Sequence, residues 1–259
     1  MDSNGGSRSQ GTGSGRAGDC QHGEVCGHCD VRHTAMCNVL NDAELEKLNS
    51  LSSDFKRDTQ QIICSEGEPA DHLYNLRSGV IRLSKMLPDG RRQITGFLFG
   101  GDFLGLACNE AYAYTAEAIT PVEMCRFPRH KLTQMFGELP QLGGRVFSMT
   151  STELEAAQSQ MLLLGRKTAA ERLSSFLLSM AQKQHHSSTT EPAQPDADKQ
   201  EVHLPMSRTD IADYLGLTVE TVSRHFTKLA KSGLIDLQGS HKVILKDADA
   251  LQAIADGDK

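Results

Sequence analysis

The chain has 259 residues, 38% of them hydrophobic and 23% charged, with a formal net charge of -6. This is ordinary globular material for two modest domains plus tails, and the acidic balance confines any nucleic-acid binding to a local basic patch. No apolar run approaches the ~20 residues of a membrane span, and seven cysteines, an odd number in a chain this long, argue against a disulfide-stapled scaffold.

The first eighteen residues, MDSNGGSRSQGTGSGRAG, hold six glycines and four serines and lack the apolar centre of a signal peptide. Residues 1–19 therefore read as a flexible tail, and a cytoplasmic setting with reduced thiols is expected. Residues 20–40 form a cysteine-rich segment in which CGHCDVRHTAMC, from Cys26 to Cys37, sets three thiols within twelve residues. Clustered cysteines in a reducing compartment favour metal binding or redox sensing. Cys26, Cys29, His33 and Cys37 have the donor types of a closed tetrahedral zinc site. Soft sulfur ligands equally select an iron–sulfur cluster, and oxidation of a low-pKa thiol is a third possibility. His22 and His28 read as solvated loop residues, and Cys64 and Cys108 as small buried ones.

Asn41 or Asp42 caps a helix that begins DAELEKL. From about 60 to 128 short apolar runs alternate with turn signals. Ile62-Ile63-Cys64, Leu73 to Leu76, Val80 to Met86 and Ile94 to Phe99 are separated by Glu66 to Pro69, Ser78-Gly79 and Pro88-Asp89-Gly90. Strands at such spacing predict an antiparallel barrel or roll. From Leu139 to about Lys183 the period becomes helical. Leu139, Leu142, Val146 and Met149 form one stripe, and Leu154, Ala157, Met161 and Leu164 continue it after a change of phase. A further helix is expected over Thr168 to Gln182, then a polar loop over 184–202 with two prolines.

Residues 207–235, SRTDIADYLGLTVETVSRHFTKLAKSGLI, carry Ala212, Gly216 and Val222 at offsets of four and six. A helix-turn-helix needs a small residue where two helices cross, a glycine in the turn and a branched apolar residue facing the core. Thr218 caps the second helix, and Glu220, Ser223, Arg224 and Lys228 project outward. Arginine suits guanine O6 and N7 in the major groove, and glutamate accepts from cytosine N4. Over 206–246 six Lys and Arg oppose four Asp and Glu, a local basic excess in an acidic chain. Leu234 to Leu237 and Val243 to Leu245, joined through Gly239, predict a hairpin wing. No nucleophile–base constellation, phosphate loop or useful pair of carboxylates appears, so an enzyme is not expected.

The segment DIADYLGLTVETVSRHFTKLAKSGLI resembles the winged helix-turn-helix of the CRP/FNR family of bacterial transcription regulators. The resemblance extends over most of residues 40–250. It implies an α+β fold: a cyclic-nucleotide-binding-type β-roll over 41–137, a long dimerisation helix over 138–167, and a winged helix-turn-helix DNA-binding domain over 168–259. In the family the recognition-helix Glu, Ser and Arg read the half-site, which here implies Glu220, Ser223 and Arg224. The roll serves many ligands, and Gly105 to Ala111 lacks the arginine of a phosphate cradle and carries Glu110, so no cyclic nucleotide is expected.

CGHCDVRHTAMC is similar instead to the N-terminal trio of the oxygen-sensing FNR branch, and Glu123 to Pro128 to its central site. The resemblance implies a [4Fe-4S] cluster on Cys26, Cys29, Cys37 and Cys125, with Cys20 as a spare that could replace Cys26. A local zinc site would leave Cys125 without a role. Arg32 stands beside the trio either as a hydrogen-bond donor or as a surface charge. Family membership further implies a homodimer on a palindromic TTGAT-type site, joined through Val146, Met149, Leu154, Ala157, Met161 and Leu164, and contact with RNA polymerase. The loop Met86 to Arg92 reads as that contact or as a plain hairpin turn. Ala157 departs from the pattern, because well-known FNR proteins carry an acidic residue there; Glu153 and Glu155 are the nearest acids.

Overall fold

The computed structural model describes residues 29–106, 110–187 and 200–258. The glycine-rich tail, Cys20, His22, Cys26, His28 and Cys108 lie outside the described residues. No described helix is long and apolar enough to cross a membrane.

A turn and a 3₁₀ segment, Met36–Val39, lead into helix α1, Asp42–Leu51. Asn41 caps it reciprocally: its side chain accepts from the Glu44 N–H, and the Glu44 carboxylate accepts from the Asn41 N–H. Eight strands follow: β1 Ser53–Arg57, β2 Ile62–Cys64, β3 His72–Ser78, β4 Ile81–Met86, β5 Arg92–Leu98, β6 Phe103–Leu104, β7 Thr115–Ala118 and β8 Val122–Pro128. They form two antiparallel sheets, ordered β1-β8-β3-β6 and β2-β7-β4-β5.

Strand alternation decides what each sheet face meets. In β3, Tyr74 and Leu76 point into the roll, as do Val122 and Met124 in β8, and they pack with Ile81, Leu83, Ala116 and Ala118 of the other sheet. The residues between them point outward: Leu73 and Phe127 meet Met36, Leu40, Leu45 and Leu48 of the N-terminal segment. Helices α2, Arg129–Glu138, and α3, Pro140–Arg166, close this outer layer through Leu132, Met135 and Leu142. Asn75 and Cys125 belong to the same outward set, directly paired across the β3–β8 ladder.

Beyond α3 lies a C-terminal unit. It comprises α4 Ala169–Ser187, β9 Gln200–His203, α5 Arg208–Leu215, α6 Val219–Lys231, the hairpin β10 Ile235–Gln238 and β11 Lys242–Leu245, and α7 Ala248–Asp256. Strand β9 adds to β11, so the wing is a three-stranded sheet. The polar stretch expected as a loop over 184–202 is helical as far as Ser187 and extended from Gln200.

The roll and the C-terminal unit share one core: Ile94, Phe97 and Phe99 cluster with Phe176, Leu177, Ile211 and Leu215. Phe97 lies 5.3 Å from the Tyr214 ring, centroid to centroid. Around this contact Arg82 and Arg92 of the β4–β5 hairpin converge on Asp210 at 2.7 and 2.9 Å, and Arg92 also pairs with Asp213 at 2.7 Å. Arg82 turns its other nitrogen to Glu117 at 2.7 Å.

Candidate functional site

The reading head is built from local rules. Ser207 and Asp210 cap α5 reciprocally, and Gly216 ends it in the left-handed region at φ 62. Ala212 and Val222 are fully buried where the two helices meet, as a helix-turn-helix requires. Thr218 caps α6: its hydroxyl accepts from the Thr221 N–H at 3.2 Å and lies 3.1 Å from the Thr221 hydroxyl. Val222, Phe226 and Leu229 face inward on α6, leaving Glu220, Ser223, Arg224 and Lys228 exposed together. Ser223, Arg224, Thr227, Lys228 and Lys231 line one open depression on that face. The structure adds Thr227 and Lys231 to the expected set; their places three residues after Arg224 and three after Lys228 were the available signal.

Arg172 holds the head to the long helix. Its guanidinium donates to the carbonyls of Leu164, Lys167 and Leu215 at 2.8, 2.9 and 2.7 Å. Arg172 thus ties the end of α3 to the turn that precedes α6.

On α3 the expected dimer stripe divides. Val146 and Met149 pack against the outer layer of their own chain, and Leu164 packs against the DNA-binding core. The exposed apolar positions are Phe147 at 74%, Leu154 at 59%, Met161 at 65% and Leu162 at 59%. Phe147, Leu154 and Met161 recur every seven residues with Ala157 exposed between them, the spacing of a helix–helix seam. Glu153 is turned from this seam: burial first, then the charge of Asp102, raises its pKa, against the opposing charge of Lys183. Glu155 is exposed.

The cysteine segment is bound to both the roll and α3. Arg145 of α3 donates to the Thr34 carbonyl at 2.6 Å, and Gln141 donates to Glu44 at 2.7 Å. Gly101, at φ 96, has no side chain where a Cβ would collide with Thr34. Arg32 donates to the Leu40 carbonyl at 3.3 Å and lies 3.7 Å from the Asp42 carboxylate at the start of α1. Cys37 and Cys125 line one small, mainly apolar cavity of about 30 Å³ with Asn75, Leu45, Leu48 and Phe127. Cys29 is half-buried and His33 exposed. Among the described residues no group of three or more His, Cys, Asp and Glu is gathered for a metal. Cys64 is buried in the roll interior.

A two-sheet sensor roll, a long helix with an outward apolar seam and a capped helix-turn-helix with a basic face define a DNA-binding regulator. Residues 56–139 match the cyclic nucleotide-binding domain and residues 171–254 the Crp-like helix-turn-helix domain. The chain is 41% identical over 228 residues to the transcriptional activatory protein AadR of Rhodopseudomonas palustris, covering 87% of this chain and 92% of that one. It is 40% identical over 214 residues to the nitrogen fixation regulation protein FixK of Bradyrhizobium diazoefficiens, covering 83% and 87%. The solved structure of FixK2 from Bradyrhizobium japonicum superposes with a TM-score of 0.70 at 36% identity, covering 78% of this chain and 96% of that one. This chain belongs to the CRP/FNR family of transcription regulators.

Proposed function

We propose that the protein is an oxygen-responsive regulator that holds a [4Fe-4S] cluster on Cys26, Cys29, Cys37 and Cys125 and binds a palindromic TTGAT-type DNA site as a homodimer in the cytoplasm. One observation carries the sensing half: Cys37 and Cys125, on elements far apart in sequence, face the same cavity between the N-terminal segment and the sheet. Half-buried thiols from a loop and a strand, set beside Leu45, Leu48 and Phe127, are the donor chemistry that iron–sulfur clusters take. When bound, the cluster supplies an oxygen-labile crosslink between segment and sheet.

The chain's own contacts carry that crosslink onward. With the segment seated, Thr34 engages Arg145 and Glu44 engages Gln141, which fixes the first turns of α3 against the N-terminal segment and α1. Further along α3, Phe147, Leu154, Ala157 and Met161 present the seam to a second copy. Two heads joined through this seam set the spacing of two α6 helices for the half-sites of a palindrome. Arg224 would read guanine and Glu220 cytosine, while Lys228 meets phosphate.

Against a cyclic nucleotide stand Glu110, the absence of arginine from Gly105 to Ala111, and a roll interior filled by Tyr74, Tyr112 and Tyr114. Tyr112 donates to the His72 carbonyl at 2.8 Å, and Tyr114 accepts from the Gly105 N–H at 3.1 Å. The β4–β5 turn exposes Met86 and Leu87 and is proposed as the contact with RNA polymerase.

DNA retention tests this reading. Protein prepared without oxygen is expected to shift a TTGAT palindrome and to lose it in air; identical binding in both conditions removes the oxygen role. Arg224→Ala is expected to weaken the specific site by about 1–3 kcal/mol while sparing random DNA. Lys228→Ala should weaken all sequences alike and lower the salt slope by about 1. Retained discrimination in a folded, dimeric Arg224→Ala protein would overturn the reading role.

Sedimentation tests the seam. With no acid on it, the metal-free protein is expected to self-associate appreciably at micromolar concentration. Ala157→Asp sets two like charges across the seam, at a cost of several kcal/mol, and should yield a metal-free monomer. A wild-type metal-free monomer would show that the seam needs the crosslink to form.

A further inference from the structure

Asn75 is 4% exposed, in the middle of β3. It stands directly opposite Cys125 in the ladder and lines the cavity shared with Cys37. Its Oδ1 is buried and has no hydrogen-bond partner. Side chains directly opposite on antiparallel strands have Cβ atoms ~4.5–5.5 Å apart, so the amide reaches the Cys125 sulfur without any backbone change. Its cavity neighbours include apolar Met36, Leu45, Leu48 and Phe127 beside the polar Asn49 and Ser52, and none of them partners the Asn75 Oδ1. An unsatisfied amide among such residues weakens the fold, and an apolar side chain would pack there at lower cost.

We propose that Asn75 is a positioning residue for the sulfur ligand, donating a side-chain amide hydrogen bond to Cys125 when that cysteine ligates the cluster. This rests on the cluster reading above. Rotation about Cβ–Cγ exchanges the orphaned Oδ1 for Nδ2, which carries two hydrogens. A metal-bound thiolate accepts such a bond and cannot donate one, so loading the site favours the rotamer that turns Nδ2 to the sulfur. Hydrogen bonds to the sulfurs are among the features that set a cluster's reduction potential, and the loss of a partner outside the ligand shell costs about 10–100-fold in metal affinity or activity. Asn75 would thereby set how long the cluster survives in air, a property that four cysteines alone do not fix.

The test uses the full-length protein, loaded without oxygen from ferrous iron and sulfide. It compares wild type with Asn75→Val and Asn75→Thr, two variants of one shape that differ in a hydroxyl donor. Iron and sulfide content, decay of visible absorption in air, and melting of the metal-free protein are read for each. The Val variant is expected to melt about 2–4 °C higher when metal-free, as the orphaned amide is removed. Once loaded, it should bleach about tenfold faster. The Thr variant should recover much of the lifetime. A residue that only packs would give Val and Thr equal lifetimes, and that result overturns the proposal, as does a Val variant that melts lower. Full iron in wild type with an unchanged Val lifetime defeats this proposal alone. Wild type that takes up no iron defeats the cluster reading and this proposal together.

Discussion

Asp210→Ala is expected to be among the most destabilising single changes in the protein, at about 4 kcal/mol. Asp210 is 4% exposed and accepts from two arginines while also capping α5 through Ser207. Breaking a buried ion pair from one side costs about 3–5 kcal/mol. The lower end applies, because Arg82 keeps Glu117 and Arg92 keeps Asp213. Loss of the cap adds about 1 kcal/mol. Asp210→Asn, which preserves an oxygen for the cap, should cost less, and denaturant unfolding of the two variants separates the contributions.

The same group predicts acid sensitivity. Burial alone would raise the Asp210 pKa, but the Ser207 hydrogen bonds and the charges of Arg82 and Arg92 hold it below the usual 3.8. A carboxylate with a depressed folded pKa stabilises fully above its unfolded value and loses that contribution as pH falls through the folded one. The contact between roll and reading head should therefore be intact at neutral pH and weaken only below about pH 4. A contact that loosens between pH 5 and 7 would contradict this assignment.

Cys125→Ser is expected to abolish iron binding and oxygen-dependent DNA binding outright, with the fold retained. The thiol is half-buried at the edge of its cavity, so exchange of sulfur for oxygen removes a soft ligand and little packing. Cys26, Cys29 and Cys37 should behave alike, whereas Cys20, Cys64 and Cys108 should tolerate the change. Full metal content in Cys125→Ser would move the site to Cys26, Cys29, His33 and Cys37. Loss of metal in Cys20→Ser would place Cys20 among the ligands.

What the sequence disclosed followed how local each rule is. The helix-turn-helix was legible because Ala212, Gly216, Thr218 and Val222 satisfy steric and capping requirements within eleven residues. Strands β2 to β5 were legible through apolar runs between turn residues. Strand β7 was not, because its inward residues are Ala116 and Ala118, too small to mark a hydrophobic pattern. The last strand ends at Pro128 as expected, but helix α2, which follows at once, was not anticipated. At the start of the α3 stripe Val146 and Met149 pack against the outer layer of their own chain, and part of that layer, Met36 to Leu48, lies far away in sequence. The pairing of Arg82 and Arg92 with Asp210 spans more than a hundred residues and left no local trace. Asn75 showed only as one polar residue inside LYNL, and its meaning depends on the strand opposite.

The central claim is that four cysteines hold an iron–sulfur cluster between the N-terminal segment and the roll. Metal and acid-labile sulfide analysis of wild-type protein purified without oxygen tests it most directly, with the visible spectrum recorded before and after admission of air. The protein is expected to be brown, with about four irons and four sulfides per chain, and to bleach in air. A colourless protein holding one zinc, or no metal, would contradict it.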